Sequence, residues 1–159
     1  MNQRLIVNDR CTECRACELK CSFVHFGVFN PHKSGIRIIS DWPKLPRVRL
    51  CVQCDDPACL PACPVDALVR TDGGAVQVLY DECTGCGSCV AACPYDGIWL
   101  DPLSNVAIKC DTCAGRFECV AGCFAGALSV GEMSVVSVDG NSCSSAVCDR
   151  RETRATDPC

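Results

Sequence analysis

The chain has two histidines, 6% aromatic residues and no long apolar run. With so few histidines, no Ser/His/Asp or Cys/His arrangement stands out, and an acid–base or nucleophilic enzyme is not expected. There is no glycine-rich phosphate loop. No stretch reaches the ~18 apolar residues a membrane-spanning helix needs, so direct membrane insertion is not expected. The first residues, MNQRLIVNDRC, show no apolar h-region, no twin-arginine pair and no cleavage site. The expected location is therefore cytoplasmic, with the reservation that a partner carrying a signal can export a subunit bound to it. Basic residues are in deficit: the formal charge is −4, which argues against nucleic acid as a partner. An ordinary core is also in short supply. Of the 48% apolar residues, about a quarter are cysteine, so a chain of 159 residues needs staples, either disulfides or metal.

What is present in excess is cysteine, 19 in all. Sixteen fall into four groups of four. Cys83, Cys86, Cys89 and Cys93 are spaced C-x2-C-x2-C-x3-C with Pro94 next. This is the bacterial ferredoxin run for a 4Fe–4S cluster, in which the fourth Cys ligates the other cluster of a pair. Three thiols on a tight loop bearing Gly85 and Gly87 wrap three corners of a cubane, and the fourth points elsewhere. Group one, Cys11, Cys14, Cys17 and Cys21, has the same spacing without the proline. Group two, Cys51, Cys54, Cys59 and Cys63, is spaced x2, x4, x3 and is followed by Pro64. Group four, Cys110, Cys113, Cys119 and Cys123, is spaced x2, x5, x3, with Phe124 where a proline might sit. CPVDAL (63–68), CPYDGI (93–98) and CFAGAL (123–128) are versions of one repeated unit.

Between the groups the pattern is of short strands: residues 4–7, 36–39 and 47–50, a hairpin over 67–79 turning at Asp72-Gly73, and another joining 98–100 to 106–109. A last hairpin is expected from 127–130 and 133–138 around Gly131-Glu132. The fold class expected is α+β, two ferredoxin-like domains formed by duplication, with short hairpins and helices around four clusters. The tail 140–159, rich in Ser, Asp, Arg and Thr, is expected to be flexible, and Cys143, Cys148 and Cys159 in it are read as incidental thiols.

Sixteen thiols match four 4Fe–4S clusters at four ligands each, and cross-ligation requires the groups to pair. Groups two and three share the proline and the hairpin between them and read as one continuous ferredoxin. Groups one and four then form a second, split one. The domains would be 1–45 plus 110–139 outside, with 46–109 inserted. The ligand sets would be Cys11/Cys14/Cys17/Cys123, Cys110/Cys113/Cys119/Cys21, Cys51/Cys54/Cys59/Cys93 and Cys83/Cys86/Cys89/Cys63. Pairing group one with two and three with four is the open alternative. Zinc modules use two separated ligand pairs around one ion, a poor match to three thiols within seven residues. Disulfides are not expected in a reducing compartment.

The order of the four groups, with the longer gaps in groups two and four, resembles the iron–sulfur subunits that accompany pterin-bound molybdenum and tungsten oxidoreductases, such as those of the dimethyl sulfoxide reductase family. The resemblance covers residues 4–130. It implies the nested pairing, four 4Fe–4S clusters and a non-catalytic electron-transfer subunit. The phrase CELKCSFVHFGVFNP (17–31) resembles, more narrowly, the small iron–sulfur subunit of tungsten aldehyde oxidoreductases and the related subunit beside benzoyl-CoA reductases. That implies a tungsten or molybdenum pterin catalytic subunit as partner and a flavin/NAD subunit as acceptor. The alternatives are a free-standing polyferredoxin shuttle, or the iron–sulfur subunit of a benzoyl-CoA reductase or dimethyl sulfoxide reductase-type complex. Clusters near both ends also leave room for end-to-end self-association as a filament. His25 and His32 are candidates to tune or ligate a cluster, but His25 is expected to pack in its segment and His32 to lie on the surface. Asp55 and Asp56 are expected in a solvated loop, and Trp42 and Trp99 are expected to pack over clusters.

Overall fold

Among the described residues, four two-stranded antiparallel sheets and three α-helices alternate around the Cys groups. The computed structural model describes residues 3–132. Strand β1 (Gln3–Val7) leads into group one, whose second half lies on helix α1 (Ala16–Phe26). A 3-10 turn (Pro31–Lys33) and strands β2 (Ile36–Ile39) and β3 (Arg47–Leu50) carry the chain to group two. Strands β4 (Leu68–Arg70) and β5 (Val76–Val78) lead to group three, which ends on α2 (Ser88–Ala92). Strands β6 (Ile98–Leu100) and β7 (Ala107–Lys109) lead to group four, with a 3-10 turn (Thr112–Gly115) and α3 (Glu118–Ala121). Strand β8 (Leu128–Glu132) completes the described chain.

The pairings are β1–β8, β2–β3, β4–β5 and β6–β7. Three are local hairpins. The β4–β5 turn closes as the Asp-Gly signal requires, with the Gly74 amide donating to Thr71 O and the Thr71 amide to Ala75 O. The fourth joins the two ends of the described chain, Leu5 opposite Val130 and Val7 opposite Leu128. Each Cys group thus lies between two hairpins, and β1–β8 closes the series into a ring.

That pairing corrects one expectation. Gly131 and Glu132 are strand residues opposite Arg4 and Gln3 rather than the tip of a local hairpin. Residues 133–138, expected as the return strand, and the tail with Cys143, Cys148 and Cys159 lie outside the described residues. The apolar side chains of β1 find their cover in β8, which local turn chemistry alone does not foretell. The boundary at 45/46 falls within the β2–β3 hairpin, so both strands belong to one packing unit.

Two apolar cores follow from these pairings. Ile36, Ile38, Leu50 and Leu128 gather with Cys17, Cys21 and Cys119. Leu68, Val76, Val78, Ile98 and Ala107 gather with Cys59 and Cys89. Alternation puts Ile36 and Ile38 inward on β2, and each such burial contributes about 1.5–3 kcal/mol. Cysteines form part of both cores, as expected of a chain short of other apolar residues. Helix α1 runs past Cys21 to Phe26 and stops at Gly27, whose φ of 68° allows its amide to cap Phe23 O.

Cross-links join the two cores. Arg4 of β1 pairs with Asp55 at 2.5 Å, so Asp55 is a structural partner, not merely a solvated loop residue. Lys33 pairs with Asp101 at 2.8 Å. Asp101 is 1% exposed. Burial opposes its charge, but hydrogen bonds from Lys33, Ser104 and the Leu103 and Ser104 amides outweigh that and bring its carboxyl down to about 2. Trp99 is buried with the Arg37 guanidinium 4.3 Å from its ring centroid. Trp42 is 90% exposed and packs over nothing, contrary to expectation. Pro43 and Pro46 beside it keep it in a loop between β2 and β3, away from both cores.

Candidate metal centres

The spacing x2 is served by one backbone device in all four groups. The residue just before the second Cys is left-handed each time: Glu13 (φ 58°), Gln53 (φ 50°), Gly85 (φ 71°) and Thr112 (φ 64°). In groups one, three and four the residue after the second Cys is also left-handed, Arg15, Gly87 and Ala114. These turns aim successive sulfurs at one centre. After the fourth Cys a second device recurs, with Asp66 (φ 52°), Asp96 (φ 46°) and Gly126 (φ 63°) bending the chain back. The next amide then donates to the sulfur just passed: Gly97 N to Cys93 Sγ at 3.4 Å and Ala127 N to Cys123 Sγ at 3.2 Å. In group one the chain first extends through α1, and the returning Gly35 amide serves Cys21 Sγ at 3.2 Å.

Gly35 and Gly97 play matched parts. A Cβ at Gly35 would lie 2.8 Å from Lys109 O and 2.9 Å from Cys110 N, and one at Gly97 would lie 2.7 Å from Cys51 Cα and 2.8 Å from Leu50 O. Each glycine lets the loop after a fourth Cys abut the backbone that starts a different group. Backbone on both sides leaves no room to relax, so Gly97→Ala is expected to destabilise the protein by about 1–3 kcal/mol. It should also loosen iron near Cys93. Thermal melts and iron content of the variant check this; an unchanged Tm with full iron would refute it.

The third and fourth cysteines of each group are four positions apart, and Cys17 and Cys21 stand one helical turn apart on α1. Cys89 sits on α2 with Cys93 as its C-cap. The two sulfurs of each such pair face different centres. One cavity, of about 340 Å³, is lined by Cys11, Cys14, Cys17 and Cys123, with Ile38, Val48 and Leu128. A second, also about 340 Å³, is lined by Cys51, Cys54, Cys59 and Cys93. A third, about 330 Å³, is lined by Cys63, Cys83, Cys86 and Cys89. Their near-equal size and matching four-thiol walls argue for the same kind of guest in each. The remaining four cysteines, Cys21, Cys110, Cys113 and Cys119, interact with one another's charge: Cys119 with Cys21 and Cys113, and Cys110 with Cys119.

The same charge contacts order the sets. Cys119 also interacts with Cys17, and Cys110 with Cys51. On these contacts the candidate thiol sets neighbour one another in the order Cys11/14/17/123, Cys21/110/113/119, Cys51/54/59/93 and, through the Cys89–Cys93 turn, Cys63/83/86/89. Each end set has one exposed cysteine, Cys14 and Cys86, and one buried one, Cys17 and Cys89, whereas no cysteine of the middle sets is exposed.

The donor chemistry fits a multivalent iron core. Among the described residues all sixteen cysteines are unpaired thiols. Burial, helped by the Glu18 carboxylate, pushes Cys17 up to about 12. Burial pushes Cys119 up to about 12, and Cys89 and Cys113 up to about 11; it raises Cys110 further still. Exposed Cys86 moves the other way, lowered by hydrogen bonding from Ser88. Four buried thiolates are not stable together without a cation among them. Backbone amides supply the rest of the cradle, with Ala107 N donating to Cys83 Sγ at 3.5 Å and Thr112 N to Cys110 Sγ at 3.4 Å beside those already named. Such N–H···S bonds stabilise the negative charge that iron–sulfur sites carry.

Three polar residues stand beside the centres; of these His25 is a sequence candidate for tuning, whereas Gln53 and Lys109 escape sequence reasoning. His25 Nε2 lies 3.4 Å from Cys113 Sγ and 3.4 Å from Asp111 Oδ1, a contact spanning 88 positions. Gln53 is 3% exposed, accepts from Val76 N at 2.9 Å and donates to Cys110 O at 2.5 Å. Lys109 is 5% exposed. No local pattern marks these roles; only the adjacency of Lys109 to Cys110 and of Gln53 to Cys54 hints at them. His32 is exposed, as expected.

Known proteins resemble this chain over these regions. A family model described as a 4Fe–4S dicluster domain matches residues 40–133, more than half of the chain, and one described as a 4Fe–4S binding domain matches residues 8–24. The polyferredoxin-like subunit of an aliphatic sulfonate oxidoreductase from Pyrococcus furiosus is 42% identical over 85 residues, 53% of this chain and 49% of that one. The B subunit of the anaerobic dimethyl sulfoxide reductase of Escherichia coli is 33% identical over 96 residues, 51% of this chain and 46% of that one. This chain thus spans about half the length of those relatives. Among solved structures, the active site complex BamBC of benzoyl coenzyme A reductase with benzoyl-CoA is 32% identical, covering 84% of this chain and 80% of that one, at a TM-score of 0.47. No helix among the described residues is long and apolar enough to cross a membrane. The matched models cover all four cysteine groups, and the chain is an iron–sulfur protein belonging to the 4Fe–4S dicluster domain family.

Proposed function

We propose that the chain is the electron-relay subunit of an oxidoreductase complex and holds four 4Fe–4S clusters on the nested ligand sets. A bound 4Fe–4S cluster supplies a one-electron couple. The chain's own residues hold the four sites in a row and bring one cysteine of each end set to the surface. The carrying observation is that cysteines from two different groups line each of three like cavities, Cys123 with Cys11, Cys93 with Cys51, and Cys63 with Cys83. With every iron corner assigned to a cysteine, the protein offers no open position for a substrate, so the role is non-catalytic, one electron in and one out.

The partner in this proposal is a tungsten or molybdenum pterin subunit, with aldehyde oxidation as its reaction and a flavin/NAD subunit as acceptor. The support is the phrase at residues 17–31 together with relatives named as subunits of larger reductases and oxidoreductases. Anaerobic purification from the native host is expected to bring along a larger subunit containing tungsten or molybdenum, with aldehyde-dependent dye reduction. Recovery of the chain as a monomer would favour a soluble shuttle and count against the subunit role.

A further inference from the structure

Lys109 is a buried ammonium on β7. Its Nζ donates to Val76 O and to Cys110 O, the latter at 2.8 Å. Two carbonyls satisfy at most two of its three protons and none of its charge. Lys20 and Lys33 each pair with a carboxylate, but Lys109 pairs with none among the described residues. An ammonium taken out of water needs a counter-charge nearby. The groups of opposite sign that surround it are sulfurs. Lys109 lines the cavity of Cys51, Cys54, Cys59 and Cys93, and it precedes Cys110 of the neighbouring set. Gln53 bonds the same two residues, accepting from the Val76 amide and donating to Cys110 O, and so braces the pocket in which the ammonium sits.

We propose that Lys109 is the internal counter-charge of the two middle cluster sites, a positioning residue that raises their reduction potentials above what the same cysteines alone would set. This rests on the four-cluster reading. A cation beside a cluster favours the form with one more electron, because reduction adds negative charge next to it. Enclosed between the two sites, it is not screened by salt as a surface charge would be. The end sites, lined by Cys11/14/17/123 and Cys63/83/86/89, do not have Lys109 in their walls. Electrons are thereby favoured at the junction between the two cores.

The test is an electron-paramagnetic-resonance redox titration of the native complex carrying Lys109→Met, Lys109→Gln or Lys109→Arg. The signal of the Cys51 set is assigned by its loss in Cys54→Ala. Gln keeps a donor for the carbonyls and removes the charge; Arg keeps the charge. The neutral variants are expected to keep their iron and to make reduction of the Cys51-set cluster at least tenfold less favourable, about 59 mV for a one-electron couple. A smaller fall is expected at the Cys110 set and none at the end sets, with Lys109→Arg near wild type. Neutral variants with full iron and unchanged midpoints would overturn the role of Lys109 and leave the relay reading standing. Loss of the middle clusters even in Lys109→Gln would assign a structural role and overturn it too. Wild-type protein without clusters at the middle sets would overturn the relay reading itself.

Discussion

Stripped of iron, the protein is expected to unfold. Each apolar core includes cysteines that face a proposed cluster, Cys17, Cys21 and Cys119 in one and Cys59 and Cys89 in the other. The strands are three to five residues long and each sheet has two of them, far below what holds a sheet alone in water. Without the clusters, four-thiol cavities of about 330–340 Å³ remain. Losing the sulfur–iron bonds removes what joins these short elements, and the net stability of an ordinary domain is only about 5–15 kcal/mol. Chelation under anaerobic conditions should therefore abolish most of the far-ultraviolet circular dichroism, as it does for small zinc domains. Retention of a cooperative melt after complete iron removal would show that the polypeptide packs by itself.

The second large effect concerns which cysteines act together. With nested ligands, Cys123→Ala and Cys11→Ala strike the same cluster. Their double variant is expected to lose no more than either single variant, at most about four of the roughly sixteen irons. Cys123→Ala with Cys21→Ala strikes two clusters and should lose up to about eight. Under the sequential pairing, Cys123→Ala would instead add nothing to Cys83→Ala. Iron per chain in the single and double variants separates the schemes, since two lesions in one site do not add.

Much of this arrangement is legible in local chemistry. Cysteine spacing demands tight left-handed turns, and such turns depend on nearest neighbours, so the four groups can be read directly. The β4–β5 and β6–β7 hairpins are equally local: Asp72-Gly73 and the Asp101–Asn105 loop carry their own closing bonds, including Asn105 N to Asp101 O at 2.8 Å. What escapes is what long-range packing decides. β8 pairs with β1 across the described chain because Leu128 completes the core of Ile36, Ile38 and Leu50. No turn signal announces that closure, and Gly131-Glu132 looks like a turn while serving as strand. Tryptophan is highly buried on average, yet nearby prolines hold Trp42 out. His25 reaches Cys113, and Lys109 reaches Val76 O, only after the hairpins have closed. The cysteine groups announce themselves in the sequence; the charges and hydrogen-bond donors packed beside them do not.

The most direct measurement is an iron anomalous-difference map from crystals of the anaerobically purified protein. Four compact iron peaks in a row are predicted, with Cys123 bonded to the iron held by Cys11, Cys14 and Cys17, and Cys93 to that held by Cys51, Cys54 and Cys59. Fewer than four peaks, or Cys63 bonded to the iron of Cys11, Cys14 and Cys17, would contradict the nested relay.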